Sequence, residues 1–343
     1  MHKHLTAMSL LLLAKIIIIT IIITATIGIS SSSIINSNPL AYAHNFAPSV
    51  AASFLTKINQ IKVESQLVES NLPLNPSLAK QHAEIASELF ENSTKDDLYY
   101  NAEGNNGLAK RVSEDTSLAL NNLQKAMASI SKQSQPLLPQ TQTSGTVIKQ
   151  ITEMVNNIND ILDKAVSVRI DKYDLTNSTV HALVLADIAE KAYNDYSYAF
   201  GIKPVNFSAT NAAFTKGSSS MMNMMGMGMM MSSPNVSSNN SSNGSNTASN
   251  SHSTMTNNTL VNAIDYELAQ ALAIKAQEIF NNDLKPISST TNASSAISKI
   301  ENNLIHLKHE IDNKAPVMDI MKIVHIDIHP TLLTVYNLKL KYY

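Results

Sequence analysis

The 343-residue sequence predicts an all-α fold, a helical bundle of about eight helices arranged in two lobes. Apolar residues recur at spacings of three and four along most of the chain, which is the pattern of amphipathic helices. Strict alternation, the pattern of strands, is confined to the last few residues. A Met/Ser/Asn-rich segment at 201–258, which is too polar to bury a core and is predicted to be disordered, separates the two lobes.

The first 43 residues have the features of an export signal. A short basic start precedes an apolar run at Leu10–Ile29, and Ala-Tyr-Ala at Ala41–Ala43 resembles a cleavage site. Cleavage after Ala43 would leave lobes at 44–200 and 259–343, outside the cytoplasm. If the segment is retained, its apolar run is long enough to anchor the chain in a membrane.

Five helices are predicted in the first lobe. Proline and glycine mark most of their ends, because proline disfavours a helical residue before it and glycine often follows a helix. The clearest pattern is a heptad-like series of apolar residues from Ile148 to Leu162. The polar stretch Asn92–Gly107 is predicted to be a loop. The predicted helices are Val50–Ser70, Ser77–Phe90, a helix that includes Leu120–Ile130, Thr146–Arg169 and Thr179–Phe200.

Three more helices are predicted in the second lobe. The middle one has apolar residues in a 3-4-3-4 series, and prolines bound the last. The residues after it, 331–343, fit a short strand, a helix or a packed tail. The predicted segments are Leu260–Phe280, Ile297–Ile311 and Pro316–Pro330.

Two of the predicted helices share a sequence pattern. LAKQHAEIASELF at Leu78–Phe90 and LAQALAIKAQEIF at Leu268–Phe280 both fit L-A-x-x-x-A-x-x-A-x-E-[LI]-F. Small residues at every third or fourth position allow helices to approach closely, so common packing demands explain the match without common ancestry. A duplicated helical hairpin is the other interpretation.

The composition excludes several classes of function. The chain has no cysteine, which rules out disulfides, thiolate metal sites and covalent haem attachment. Its net charge is −2 and Arg111 and Arg169 are its only arginines, so we expect no nucleic-acid partner. No nucleophile elbow, phosphate-binding loop, zinc-protease helix or di-iron motif occurs, so we expect that the protein is not an enzyme.

The run MMNMMGMGMMM is the most unusual feature of the sequence, since it holds eight of the fifteen methionines. Thioether sulfur is a soft ligand that suits Cu(I), and it needs no deprotonation. The alternatives are a flexible apolar patch that docks on a lobe or a partner, or simple drift in composition. The candidate copper ligands are Met221, Met222, Met224, Met225, Met227, Met229, Met230 and Met231.

His44 is a second candidate ligand, because cleavage after Ala43 would make it the N-terminal residue. Its α-amino group and imidazole could then chelate one copper ion together. Oxidative copper enzymes with an N-terminal histidine use this arrangement. A copper oxidase is therefore a less favoured alternative to a protein without catalytic activity.

Four histidines near the C terminus form the third candidate. His306 and His309 are three residues apart and can share a helix face with Glu310, whereas His325 and His329 are four apart. Two neighbouring imidazoles suit a borderline ion such as Cu or Zn. The alternative is a solvated helix face on which the histidines are incidental.

The geometry of the second histidine pair stays open at this point. On a helix, His325 and His329 would align with Met321, but Pro330 disfavours helical geometry at His329. In an extended segment, Asp327 would lie on the same side as both histidines. Either geometry brings the two imidazoles together.

Four pieces of the sequence resemble exported helical proteins of ammonia-oxidising archaea: AYAHNF, HALVLADIAEKAYNDYSYAFG, MMNMMGMG and MDIMKIVHIDIHPTLLTVYNLKLK. The resemblance covers most of the mature chain. It implies an archaeal, extracytoplasmic setting that is rich in copper enzymes and in which glycosylation occurs. The nine N-x-S/T sites are Asn92, Asn177, Asn206, Asn235, Asn239, Asn240, Asn243, Asn257 and Asn292.

These observations together predict an exported helical protein that binds or handles copper without catalysis. A membrane copper enzyme or a cell-envelope protein is the expected partner. The competing hypothesis is a glycosylated structural or interaction protein of the cell surface, in which the methionine run is a docking patch.

Overall fold

The computed structural model describes residues 46–47, 49–101, 106–133, 145–204, 259–288 and 294–340. Within these ranges the chain forms nine helices and no strand, which confirms the predicted all-α helical bundle. Five of the helices begin at a side chain that accepts a hydrogen bond from the first turn, which satisfies an otherwise free N–H group. These capping residues are Ser49, Asn75, Asp171, Asn177 and Asn262.

Helices α1 to α4 form the first bundle. Each packs against the next, and α4 returns to pack against α1, so the four helices close into a ring around one apolar core. Their bounds are α1, Val50–Asn71; α2, α-helical at Pro76–Leu89 and Lys95–Asn101 with a π-helical turn at Phe90–Thr94; α3, Asn106–Gln133; and α4, Gly145–Arg169.

Helices α6 to α9 form the second bundle, which closes into a ring in the same way. The one-turn helix α5, Lys172–Thr176, links the two bundles. The bounds are α6, Ser178–Ala199; α7, Ala263–Ile279 and Lys285–Ser288 with a π-helical turn at Phe280–Leu284; α8, Ser294–Asp312; and α9, Val317–Lys322 and His329–Val335 with a π-helical turn at Ile323–Ile328.

The Met/Ser/Asn-rich segment joins α6 to α7, two neighbouring helices of one ring. The N–H groups of Val261 and Asn262 donate to the carbonyl oxygen of Ala199 at 2.8 and 3.1 Å. The chain therefore returns to the end of α6 from which it departs. Helix α6 precedes the Met/Ser/Asn-rich segment in sequence, but it belongs to the second bundle with the three helices that follow the segment.

The prediction of a loop at Asn92–Gly107 is wrong for its first half, because α2 continues to Asn101. The π-helical turn at Phe90–Thr94 accommodates one extra residue in the helix and rotates the residues that follow. Leu98 is thereby turned into the core, where it is fully buried. The polar sequence shows one buried leucine and not a periodic stripe, so the pattern alone pointed to a loop.

The matching segments of α2 and α7 also match in structure. Their alanines are buried at the same positions, and each reaches its π-helical turn at the same residue, Phe90 in α2 and Phe280 in α7. Each helix is the second member of its ring and packs against the first. Close approach along an alanine face explains the composition. The equal ring positions support the interpretation that a helical hairpin was duplicated.

The two bundles meet where α1 packs against α6 and α7. Side-chain hydrogen bonds cross this junction, from Thr56 to Asp187 at 3.4 Å and from Asn71 to Glu267 at 2.6 Å. The chain ends also meet, since the N–H of Ala47 donates to the carbonyl oxygen of Lys339 at 2.7 Å. None of the described helices is both long and apolar enough to cross a bilayer.

Truncation of a seam residue of α4 tests the packing of the first bundle. Ile158 is fully buried, and Ile158→Ala should lower the free energy of unfolding by about 2–5 kcal/mol, since it leaves a cavity. Leu118 is 59% exposed, and Leu118→Ala should change it by less than about 0.5 kcal/mol. Denaturant unfolding followed by circular dichroism measures both. Equal losses for the two variants would contradict the assigned core.

Candidate metal site

Three side chains of the second bundle form a compact group, which we call the His–Glu cluster: Glu190 of α6 with His325 and His329 of α9. One ligand atom from each lies within 4.8 Å of the other two, and no other His, Asp or Glu triad among the described residues meets this condition. Both histidines are buried, at 6% and 3% exposure. The two imidazoles therefore lie within the helix interface, and Glu190 lies at its partly exposed edge.

The π-helical turn of α9 places the two histidines. His325 lies inside the turn and His329 immediately follows it, with helical backbone angles of φ −58° and ψ −47°. The predicted segment ended at Pro330, but α9 continues through the proline to Val335, which agrees with the helix alternative for the residues that follow. A proline ring clashes with the carbonyl four residues earlier in an α-helix, and the wider π turn relieves that contact. The two imidazoles consequently share one face, as the helical alternative predicted.

Aromatic and backbone contacts hold the two imidazole rings. The rings lie edge to face, with centroids 5.3 Å apart, and Tyr193 and Phe46 each meet one of them edge-on at 5.4 Å. Nε2 of His329 lies 3.3 Å from the carbonyl oxygen of Ala186. A carbonyl can only accept, so Nε2 carries the proton and Nδ1 is the nitrogen that can bind an ion.

Glu190 supplies the carboxylate of the cluster. Its Oε2 atom is buried and lies 3.4 Å from Nε2 of His325, although about a third of the side chain is exposed. The pKa of Glu190 is raised to about 7, chiefly by burial; a hydrogen bond with Asn194 lowers it and the nearby carboxylate of Asp187 raises it by smaller amounts, which that value includes. The carboxyl group is thus close to balance between its neutral and charged forms at neutral pH.

Two imidazoles and one carboxylate form a ligand set for borderline divalent ions, as in His₂Glu zinc sites. A tetrahedral ion with bonds of about 2.0–2.2 Å separates its ligand atoms by roughly 3.3–3.6 Å. The ligand atoms of the cluster lie within 4.8 Å of one another, so small side-chain rotations would bring them to bonding distance. Three protein ligands leave at least one position for a fourth ligand.

The corresponding interface of the first bundle has an apolar central seam. There α4 packs against α1 with a seam of buried aliphatic residues from Ile151 to Leu162, and no histidine interrupts it. In the second bundle, α9 occupies the equivalent ring position and buries two histidines. An aliphatic seam thus suffices for this architecture, and packing alone does not require the imidazoles.

The other predicted histidine pair lies on the surface. His306 and His309 are on α8 with side chains 57% and 67% exposed, and ring nitrogens of both approach Oε1 of Glu310, at 3.4 and 3.1 Å. These three residues do not form a triad within 4.8 Å. Met321 packs partly buried against the core, and Met318 is 41% exposed.

Sequence reasoning missed Glu190. It lies in the clearly predicted helix Thr179–Phe200, more than a hundred residues from His325, and was one of many carboxylates on helix faces. The available signal was a charged residue beside the apolar stripe of a strongly apolar helix. His44 and Met221–Met231 lie outside the described residues, so both stay candidates.

No protein-family description matches the chain, and no curated protein or solved structure matches it either. The resemblance to exported archaeal proteins stays a prediction.

The tautomer of His329 is directly testable. Because Ala186 accepts from Nε2, the imidazole of the metal-free protein should be protonated at Nε2 and not at Nδ1 at mildly alkaline pH. Long-range ¹H–¹⁵N NMR correlations distinguish the two tautomers. The exposed ring of His309 is the control, and we expect it to show averaged tautomers. Protonation of His329 at Nδ1 would contradict this assignment.

Proposed function

We propose that this protein binds a borderline or soft metal ion, copper first among them, and does so without catalysis. The observation that carries the proposal is the His–Glu cluster, in which two buried imidazoles and a carboxylate converge from two helices. Neutral imidazole is a common ligand for copper and zinc, and buried ligands exclude competing water.

The energetic cost of the cluster supports this function. Burying histidines and a carboxyl group in place of aliphatic side chains gives up hydrophobic stabilisation and requires desolvation. The first bundle closes its equivalent seam with isoleucine, valine and leucine. A bound cation would offset the cost, because it satisfies the carboxylate and the imidazoles together.

Copper could be held at two places according to its oxidation state. The nitrogen and oxygen ligands of the His–Glu cluster suit Cu(II) and Zn(II), whereas the thioethers of Met221–Met231 suit Cu(I). The surface pair His306 and His309 is a weaker candidate for Cu(II), since both rings are exposed to water. A copper-handling protein that accepts both oxidation states fits these ligand sets.

His44 is a candidate for the position that the cluster leaves free. Phe46 packs against His329 with ring centroids 5.4 Å apart, and His44 is two residues earlier in the chain. A contribution from the amino group of His44 requires cleavage after Ala43.

We propose that this function is performed outside the cytoplasm, on the basis of the predicted export signal and the nine N-x-S/T sites. Imidazole and thioether ligands suit that location, since neither depends on reduced cysteine. Delivery of copper to a membrane copper enzyme is the role that we propose for the bound ion.

Metal titration tests the His–Glu cluster. The purified, processed protein should bind one Cu²⁺ or Zn²⁺ ion at this site, and His325→Ala or His329→Ala should weaken binding more than about 100-fold, because even outer-shell partners contribute about 10–100-fold. Isothermal titration calorimetry measures affinity and stoichiometry. His306→Ala is the matched control and should leave this site unchanged. His44→Ala should weaken binding only if His44 supplies the fourth ligand.

Two outcomes would overturn the proposal for this cluster. One is a wild-type protein that binds neither ion above background. The other is a tight site that survives both cluster substitutions while helical circular dichroism is retained.

Cu(I) binding tests the methionine run separately. Replacing the eight methionines of Met221–Met231 with leucine keeps an apolar surface of similar volume but removes every thioether. We expect this variant to lose Cu(I) uptake in competition with a chromogenic chelator, while Cu²⁺ binding at the cluster persists. If Cu(I) uptake is unchanged, the methionines are a docking patch or incidental, as the alternatives predict.

A further inference from the structure

A second buried polar group lies at the junction of the two bundles, separate from the His–Glu cluster. Glu64 of α1 and His82 of α2 are both fully buried, and Oε2 of Glu64 lies 2.7 Å from Nδ1 of His82. On the opposite side of the His82 imidazole, Nε2 lies 3.4 Å from Oε2 of Glu267, which is on α7 of the second bundle. One imidazole thus bridges two carboxylates and two bundles.

Few positively charged side chains lie around this Glu64–His82–Glu267 bridge. Helix α6 presents Lys191, which pairs with Asp195 at 2.6 Å, and α7 presents Asp265 as well as Glu267. Helix α4, which also packs against α1, carries Asp163, which pairs with Lys62 at an exposed position. Among the described residues, Lys191 is the lysine that acts on Glu64, and it is already paired with Asp195.

A buried polar atom of the bridge forms no hydrogen bond with the described residues. Oε1 of Glu64 is buried and has no hydrogen-bond partner among the described residues. Burial raises the pKa of Glu64, against the lowering effects of His82 and Lys191. Burial likewise raises the pKa of Asp195 to about 6. Burial at the junction therefore favours the protonated forms of Glu64 and Asp195.

Protons can reach the bridge from solvent. A groove of about 420 Å³ runs between α1 and α7, and Asn71 and Glu267 line it. Glu267 is 28% exposed on the groove side and contacts His82 on the other, and Asn71 donates to it at 2.6 Å. Glu267 thus connects the buried imidazole to water.

We propose that the Glu64–His82–Glu267 bridge is a proton-dependent latch that holds the two bundles together in mildly acidic conditions and loosens in alkaline conditions. When Glu64 is protonated, it brings no charge to the interface between the bundles. When Glu64 loses its proton, its carboxylate lies across one imidazole from Glu267, and the repulsion between the two acidic groups opposes contact between the bundles.

The sign of the pH effect follows from linkage. A carboxyl group whose pKa is raised by folding stabilises the folded form below its unfolded pKa, and that contribution is lost as the pH rises through the folded value. For Glu64, the titrating group of the bridge, the loss occurs as the pH rises from acidic toward neutral values and above. The latch should consequently be closed at about pH 5 and loosened at about pH 8.5.

Distance measurements between the bundles test the latch. The chain has no cysteine, so Leu118→Cys on α3 and Ile305→Cys on α8, both at exposed positions, give one spin label in each bundle without background. Double electron–electron resonance then reports the inter-bundle distance. Spectra are compared at about pH 5 and about pH 8.5, the two sides of the transition, with EDTA present so that metal binding does not contribute.

The labelled parent should show one narrow distance distribution in acid and a broadened or longer one in alkali. Glu64→Gln removes the titrating carboxyl group with little change of shape, and it should keep the narrow distribution at both pH values. Glu301→Gln is the matched control, since it removes an exposed carboxylate that pairs with Lys285, and it should behave as the parent.

Either of two results would overturn the latch. One is a parent protein whose distance distribution is the same at both pH values, a result that does not depend on any substitution at the bridge. The other is a folded Glu64→Gln protein that shows the same pH-dependent change as the parent. Neither result bears on the His–Glu cluster, because the experiment is done in the presence of chelator.

Discussion

Helix α6 is buried along most of its circumference, and the rest of the structure depends on that burial. It packs against α7 and α9 of its own bundle and against α1 of the other. Its alanines, Ala182, Ala186, Ala189 and Ala192 among them, are almost fully buried, which permits the close approach of several neighbours at once. A helix enclosed in this way has little solvated face on which a polar side chain can be placed at no cost.

The polar residues of α6 accordingly have defined partners. They contribute to the His–Glu cluster and to the surroundings of the Glu64–His82–Glu267 bridge. Glu190 faces α9 and completes the His–Glu cluster, whereas Lys191 and Asp195 lie toward the bridge between the bundles. Both sites replace apolar packing with groups that need a counter-charge, an ion or a proton. One central helix therefore carries a candidate ligand site and part of a candidate pH-sensitive contact on different faces.

The π-helical turns explain much of what differs between the sequence pattern and the structure. Each adds a residue to a helix and so shifts the register of every residue that follows. In α2 the shift buries Leu98, and in α9 it allows two histidines to share a face directly before a proline. Local propensity contains no signal for such turns, because they are stabilised by the burial of the residues beyond them. For this reason α9 continues past Pro330, where the predicted segment ended.

The sequence by itself determined the all-α class, the position of nearly every helix and the pairing of His325 with His329. These depend on spacing along one chain, which periodicity records directly. Only the tertiary structure decided that Glu190 joins those histidines, that His82 bridges Glu64 and Glu267, and that His306 and His309 stay on the surface. Such groupings depend on which helix faces meet, and that is set by packing between residues far apart in the chain, not by any local pattern.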